Sequence, residues 1–156
     1  MRRGIISAGN WLSDTIKFIS HYPAVGNLVT IEKIDQGFGG CAHNVLADLA
    51  RMQTGIPLFA GGCVGYDALG DEIFSTCEKL GINAEGMCRV DAATSYTDVM
   101  ADMSNGTRTF FHHRGANAEF GPEHVEKITA EAKIFHLGYL LLLDRMDAKD
   151  EEYGIV

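Results

Sequence analysis

Three short apolar runs are spaced along the chain, and they constrain its fold more than any other feature. They are Gly4–Ala8, Pro57–Val64 and Ile134–Leu143, the last of which includes an exit loop. Runs of this length are typical of buried strands. Between them lie two segments with helical spacing of apolar residues, Cys41–Met52 and Ala68–Leu80. Strands that alternate with helices predict a parallel sheet covered on both faces.

Two further pairs of strands have a polar face and do not fit inside such a sheet. Thr15–Ser20 and Leu28–Ile34 are rich in β-branched residues and are predicted to form a hairpin-like flap. Thr94–Met103 and Thr107–His113 are joined by Ser104-Asn105-Gly106, and Asn-Gly between strands indicates a hairpin. We expect these pairs to form a second, small β layer beside the parallel sheet.

The end of the chain is predicted to be helical. Pro122–Ala132 has proline in its first turn, and Asp147–Tyr153 has the pattern of a helix that is beginning. A sheet with helices on both faces is not finished by this number of strand–helix units. The sequence therefore indicates either a truncated α/β domain or a small complete α/β protein.

Composition narrows the class of protein and its partners. The chain has 156 residues, 46% of them hydrophobic, which is enough for one domain with a core. A formal net charge of −8 argues against a nucleic-acid or membrane surface. The four cysteines contain no C-x-x-C pair, which favours reduced thiols, and no apolar run approaches the ~18 residues of a membrane span. We expect a soluble, cytoplasmic protein.

The segment that could carry chemistry is the glycine-rich stretch Gly37–Gly40, which opens a helix. Free N–H groups at a helix start bind anions or polar oxygens, and glycine allows a ligand to approach the backbone. Asn44 lies one turn into the helix, and its amide could bind a hydroxyl. Asp14 follows the first strand, where open α/β sheets bind ligands. Asp14 could equally be a turn or capping residue, and Gly-Gly before a helix is common.

Several kinds of site are excluded by the motifs. The stretch has no G-K-[ST] of a Walker A loop and no dinucleotide fingerprint. His112 and His113 are neighbours on a predicted strand, so they face opposite sides and cannot chelate one ion. No triad or paired-carboxylate arrangement is present, and the histidines give no reason to predict a metal site.

Residues 39–52, which read GGCAHNVLADLARM, resemble the first signature of the ribokinase-like (PfkB) carbohydrate kinases. Four other segments resemble motifs of that family in the same order. They are GNWLSD at 9–14, GCVGYDALG at 62–70, GTRTF at 106–110 and GANA at 115–118. The resemblance covers essentially the whole chain.

The resemblance implies an α/β fold, a Rossmann-type three-layer sandwich with a small β-sheet lid, here C-terminally truncated. Residues 1–156 would be the N-terminal part of the domain, with lid strands at about 15–34 and 94–113. The ATP-binding C-terminal part would be absent, because the family's Asn-x-x-Glu and Gly-Ala-Gly-Asp motifs do not occur. In many members the lid closes over a sugar and pairs with another lid, which implies a homodimer.

The family's activity is transfer of the ATP γ-phosphoryl group to a sugar hydroxyl with Mg²⁺, and by resemblance a longer parent protein would perform it. This chain would be inactive alone and would bind neither ATP nor Mg²⁺ strongly. The residues that resemble substrate-binding positions are Asp14, Gly39, Gly40, Asn44, Arg108 and Gly138. Ribokinases have an acidic residue where this chain has Gly138-Tyr139, so ribose is not implied. The alternative is a non-catalytic sugar-binding or dimerisation module.

Overall fold

The computed structural model describes residues 2–152 and 154–155, which form two main sheets. In chain order the helices and strands are β1 Ile5–Gly9, β2 Leu12–Ile19, β3 Ile31–Gly39, α1 Cys41–Arg51, β4 Leu58–Gly65, α2 Ala68–Lys79, β5 Asn83–Val90, β6 Tyr96–Asp102, β7 Arg108–His113, a 3₁₀ helix Gly115–Glu119, α3 Pro122–Val125, β8 Ile134–Gly138, β9 Lys149–Asp150 and β10 Gly154–Ile155. None of the helices in the described ranges is long and apolar enough to cross a membrane.

The first sheet is parallel and has the order β5-β4-β1-β8. Its register places Gly9 at the end of β1 between Gly62 of β4 and Gly138 of β8. The carboxyl ends of the central strands therefore meet without side chains, which lets other elements approach this edge closely. Open α/β sheets bind ligands at this edge.

Both faces of the first sheet are covered, as the strand–helix alternation predicts. On one face, Leu46 of α1 and Ile73 of α2 are buried in a cluster with residues of β4. On the other face, Phe120 and Leu143 pack against Ile6 of β1. Burying these side chains contributes about 1.5–3 kcal/mol each, which makes this two-sided core the main stabilising feature.

The second sheet has the order β3-β2-β6-β7 and contains both predicted hairpins. Strands β2 and β6 pair in parallel and join the hairpins into one layer. The strands are shifted from the predicted bounds, and Gly37–Gly39 continue β3 instead of forming a turn. The chain turns at Gly40, directly before α1.

Only Asn10 and Trp11 separate β1 in the first sheet from β2 in the second. Trp11 is 1% exposed, and its indole Nε1 donates to the Gly61 carbonyl oxygen at 2.9 Å. Its backbone N–H donates to Asn117 Oδ1 at 3.1 Å. Strand β6 is held at the same end, because Thr94 just before it donates its backbone N–H to the Asp67 carboxylate at 2.7 Å. The second sheet is thus fixed to the core where β2 and β6 begin.

The sequence analysis missed one strand and predicted two helices that differ from the structure. Strand β5 was not predicted, because it lies at the edge of the sheet and mixes polar with apolar residues. The predicted helix Pro122–Ala132 is wrong beyond Val125, where β-branched Ile128 and Thr129 disfavour continuation.

The predicted helix Asp147–Tyr153 is also wrong. The chain forms the two-residue strands β9 and β10 there, and Tyr153 lies outside the described residues. The Asp147 carboxylate accepts from the backbone N–H of Leu143 at 2.8 Å, so it stabilises the preceding turn instead of starting a helix.

Candidate functional site

A pocket of about 380 Å³ lies where the second sheet faces the start of α1 and the loop after β8. The described residues around it are Gly40, Cys41 and Asn44 at the start of α1, Leu12, Thr97, Phe110 and His112 in the second sheet, and Asn10, Tyr139 and Leu142 in the loops after β1 and β8. Two of the predicted site residues, Gly40 and Asn44, line it directly.

Gly40 makes the turn between β3 and α1 with a φ of +95°, which L side chains rarely adopt. A Cβ at this position would overlap the backbone carbonyl of Asn10, so a side chain has no space there. The turn brings the N-terminus of α1 against the loop after β1. Two segments of the pocket meet at this glycine.

Asn44 lies one turn into α1, and its backbone N–H donates to the Gly40 carbonyl at 2.9 Å. Its side-chain Oδ1 is 3.1 Å from Nδ1 of His43. Burial lowers the pKa of His43, so the ring is neutral near pH 7, and its Nδ1–H can donate to Asn44. The amide NH₂ group is then the end of Asn44 that remains for an oxygen atom in the pocket.

Asp14 is half-buried on β2, close to Gly39 on the neighbouring strand. A Cβ on Gly39 would overlap Oδ2 of Asp14, so the glycine provides space for the carboxylate. Burial raises the pKa of Asp14, and a hydrogen bond from Thr97 together with the nearby His112 opposes that shift. Asp14 adjoins the pocket through Thr97, which lines it.

The register of the second sheet places Asp14, Thr97 and His112 side by side on three adjacent strands. The Thr97 hydroxyl oxygen lies 3.0 Å from Nδ1 of His112. We call these three residues the cross-strand row. Only Asp14 of the row was singled out as a ligand from the sequence, because the parallel pairing of β2 with β6 joins strands about 80 residues apart and leaves no local signal.

Two polar atoms among the pocket residues are buried and have no hydrogen-bond partner: Nε2 of His112 and Oδ1 of Asn10. Asn10 is 1% exposed, and its Nδ2 group donates to the Leu142 carbonyl at 3.4 Å. An unpaired buried acceptor costs about 1–3 kcal/mol. A ligand hydroxyl that reached either atom could satisfy it.

The remaining two predicted site residues lie apart from the pocket lining. Arg108 begins β7 at the opposite end from His112 and is exposed, with its guanidinium 5.8 Å from the centre of the Phe110 ring. Gly138 is buried at the end of β8, and a Cβ there would lie 2.8 Å from Cβ of Cys41. Gly138 thus allows the start of α1 to approach β8, and Tyr139 after it lines the pocket.

Metal binding by this chain has no structural support in the described ranges. Residues 2–152 contain no group of three or more His, Cys, Asp or Glu side chains close enough together to hold an ion.

The two sequence comparisons with known proteins both find kinases. Residues 12–152 match the family described as pfkB family carbohydrate kinase. A curated relative, the ATP-dependent ribose-1-phosphate kinase of Halopiger xanaduensis, is 27% identical over 123 residues, which are 79% of this chain and 41% of the relative. The chain thus spans less than half the length of that relative.

Solved structures share the fold. The ribokinase of Giardia lamblia superposes with a TM-score of 0.75 at 24% identity, over 86% of this chain and 44% of that protein. The fructokinase of Xylella fastidiosa with bound ATP gives a TM-score of 0.67 at 27% identity, over 88% of this chain and 42% of that protein. The expected ribokinase-like α/β architecture is confirmed.

Proposed function

The chain belongs to the pfkB family of carbohydrate kinases, and on that premise we propose that it forms the sugar-binding half of an ATP-dependent kinase. The acceptor would be a hydroxyl of a sugar or sugar-like compound, and the second sheet would act as the lid over it. The observation that carries this proposal is the pocket itself. It joins Asn44 and the Gly40 turn to the strand that holds Asp14.

The groups around the pocket suit a polyol. The Asp14 carboxylate can accept hydrogen bonds from two adjacent hydroxyls, and the Asn44 amide can donate to a hydroxyl oxygen. Gly39 and Gly40 leave the space that these contacts need. Apolar side chains, among them Leu12 and Phe110, form much of the remaining wall and would exclude water from the bound sugar.

ATP would supply the phosphoryl group, and Mg²⁺ would neutralise phosphate charge. In this proposal the described residues that line the pocket bind and orient the sugar. Phosphoryl transfer depends on positioning and electrostatic stabilisation, and both halves of such a site are required.

We expect the isolated 156-residue chain to show no kinase activity, while the longer parent protein phosphorylates a sugar. The measurement is transfer of ³²P from γ-labelled ATP to a panel of sugars and nucleosides by the two proteins. The control is the parent without a sugar, which reports ATP hydrolysis. Transfer by the isolated chain would contradict the division of labour proposed here. Sugar binding without transfer by the parent would instead support a non-catalytic binding module.

We also propose that the face of the second sheet opposite the pocket forms a homodimer. Ile34 and Phe111 lie on this face and are 54% and 52% exposed, so they are available for contact with a second copy. We expect Phe111→Lys to convert the dimer to monomers in sedimentation experiments. Met52→Lys, at an exposed site on the end of α1, is the matched control and should not change the mass. A monomeric wild-type parent would refute the dimer.

A further inference from the structure

We propose that His112 is a substrate-binding residue whose Nε2 accepts a hydrogen bond from a hydroxyl of an uncharged polyol, and that Thr97 positions it by keeping the ring proton on Nδ1. This inference rests on the proposed sugar-kinase function and assigns two further residues to the same pocket. It comes from the cross-strand row, and neither residue matches a family motif described above.

The position of the ring proton follows from counting donors along the row. The Thr97 hydroxyl has one proton, and the Asp14 carboxylate beside it can only accept. If Thr97 donates to Asp14, its oxygen must accept from His112 at the 3.0 Å contact. Nδ1 of His112 therefore carries the proton, and Nε2 is left as an acceptor in the neutral ring.

The surroundings keep the ring neutral. Burial lowers the pKa of His112, and the positive charges of Arg114 and His113 next to it in the chain lower it further. Asp14 on β2 and a hydrogen bond to the Tyr96 backbone on β6 act in the opposite direction without reversing the shift. Near pH 7 the unpaired Nε2 is thus a lone-pair acceptor among the pocket residues.

A second buried acceptor supports the same class of ligand. Asn10 Oδ1 is also unpaired, because the other end of the amide is turned to the Leu142 carbonyl. Together with the Asp14 carboxylate, the site offers three acceptors, and no lysine or arginine is among the described residues that line the pocket. Three acceptors, one of them a carboxylate, match a compound with several hydroxyl donors and disfavour a phosphate group placed against them.

The experiment uses the parent protein with saturating ATP and Mg²⁺. D-ribose, D-fructose, adenosine and ribose 1-phosphate serve as acceptors, and the best uncharged one is used for the variants. We expect His112→Leu to raise its KM about tenfold with little change in kcat, because one hydrogen bond to the bound hydroxyl is lost. His112→Gln, which retains an acceptor near the ε position, should restore most of the affinity.

The controls separate this role from a structural one. His113→Leu changes the neighbouring histidine, whose ring packs against Tyr96 on the other face, and should leave KM unchanged. Thr97→Val should raise KM several-fold and Thr97→Ser should not, because only the serine keeps the hydroxyl. In the wild type, KM should rise only when the pH falls below the ordinary His range, because the pKa of His112 is lowered and a protonated ring cannot accept. That rise should be weaker in His112→Gln.

An unchanged KM in a folded His112→Leu protein, or a preference for ribose 1-phosphate over every uncharged acceptor, would overturn the proposal while leaving the kinase function in place. Absence of transfer to any acceptor by the wild-type parent would overturn the proposed function and this inference together. Circular dichroism and the melting temperature verify that each variant is folded.

Discussion

Under the proposed function, Asp14→Asn should lower kcat/KM of the longer protein for its sugar acceptor by about 100-fold or more. The carboxylate is the only charged group in the cross-strand row that can accept from two hydroxyls at once. An amide presents one acceptor and one donor in its place, so one hydroxyl of the sugar would face an N–H group. Steady-state kinetics with the best sugar acceptor is the measurement.

The same substitution should not destabilise the fold. Burial raises the pKa of Asp14, so the folded state favours the protonated carboxyl. The stability that the protonated form contributes is lost as the pH rises through the folded-state pKa. At neutral pH the Asp14→Asn protein, which carries no charge at this position, should therefore melt at the wild-type temperature or above it. Loss of activity without loss of stability separates binding from folding.

Asp98→Asn is the matched control for charge removal. Asp98 lies next to Thr97 on β6, but it faces the other side of the sheet and pairs with Lys17 at 2.6 Å. This ion pair is partly buried, with side-chain exposures of 22% for Lys17 and 35% for Asp98, so activity should stay near wild type while the melting temperature falls. A folded Asp14→Asn protein with wild-type kcat/KM would exclude Asp14 from the sugar site.

Gly40→Ala should lower the free energy of unfolding by about 3 kcal/mol and the melting temperature by roughly 10 °C. The φ of +95° is strained for alanine, and the added methyl group would overlap the Asn10 carbonyl, which is backbone and cannot rotate away. Relief requires α1 to move from the loop after β1, which also opens the pocket. Urea denaturation measures the loss of stability, and the affinity for the sugar measures the opening of the pocket.

Two neighbouring glycines provide controls within one segment. Gly37→Ala has no atom within 4 Å of the new Cβ and no positive φ, so its stability should stay near wild type. Gly39→Ala would push against the Asp14 carboxylate, so it should weaken sugar binding more than it lowers stability. Equal stability of the Gly37→Ala and Gly40→Ala proteins would show that the turn at Gly40 does not constrain the fold.

Local patterns predicted most of the elements, because they act over a few residues. The helical stripe after Gly40 predicts α1 to within one residue, and the Asn-Gly turn predicts the pairing of β6 with β7. Strand β5 was missed because an edge strand buries few side chains and has a weak apolar signal. The prediction of a helix at Asp147–Tyr153 was wrong because the composition of this segment is also compatible with a tight turn.

The pocket was only partly predictable. Gly40 and Asn44 follow from one short motif, whereas Thr97 and His112 reach the site through the parallel pairing of β2 with β6. That pairing is set by packing of the whole domain, and no short-range pattern records it. The role of Asn10 was predictable only in part. Its place after a buried strand was visible, but its unpaired oxygen is visible only in three dimensions.

The attachment of the second sheet at Trp11 and Thr94 has a mechanical consequence. A sheet that is fixed at one end moves least near the attached end and most at its free end. The cross-strand row lies near the attached end of the second sheet, and Arg108 lies toward its free end. If the sheet bends when a ligand enters or leaves, its free end would therefore move furthest. The spacing of Asp14, Thr97 and His112 would be preserved.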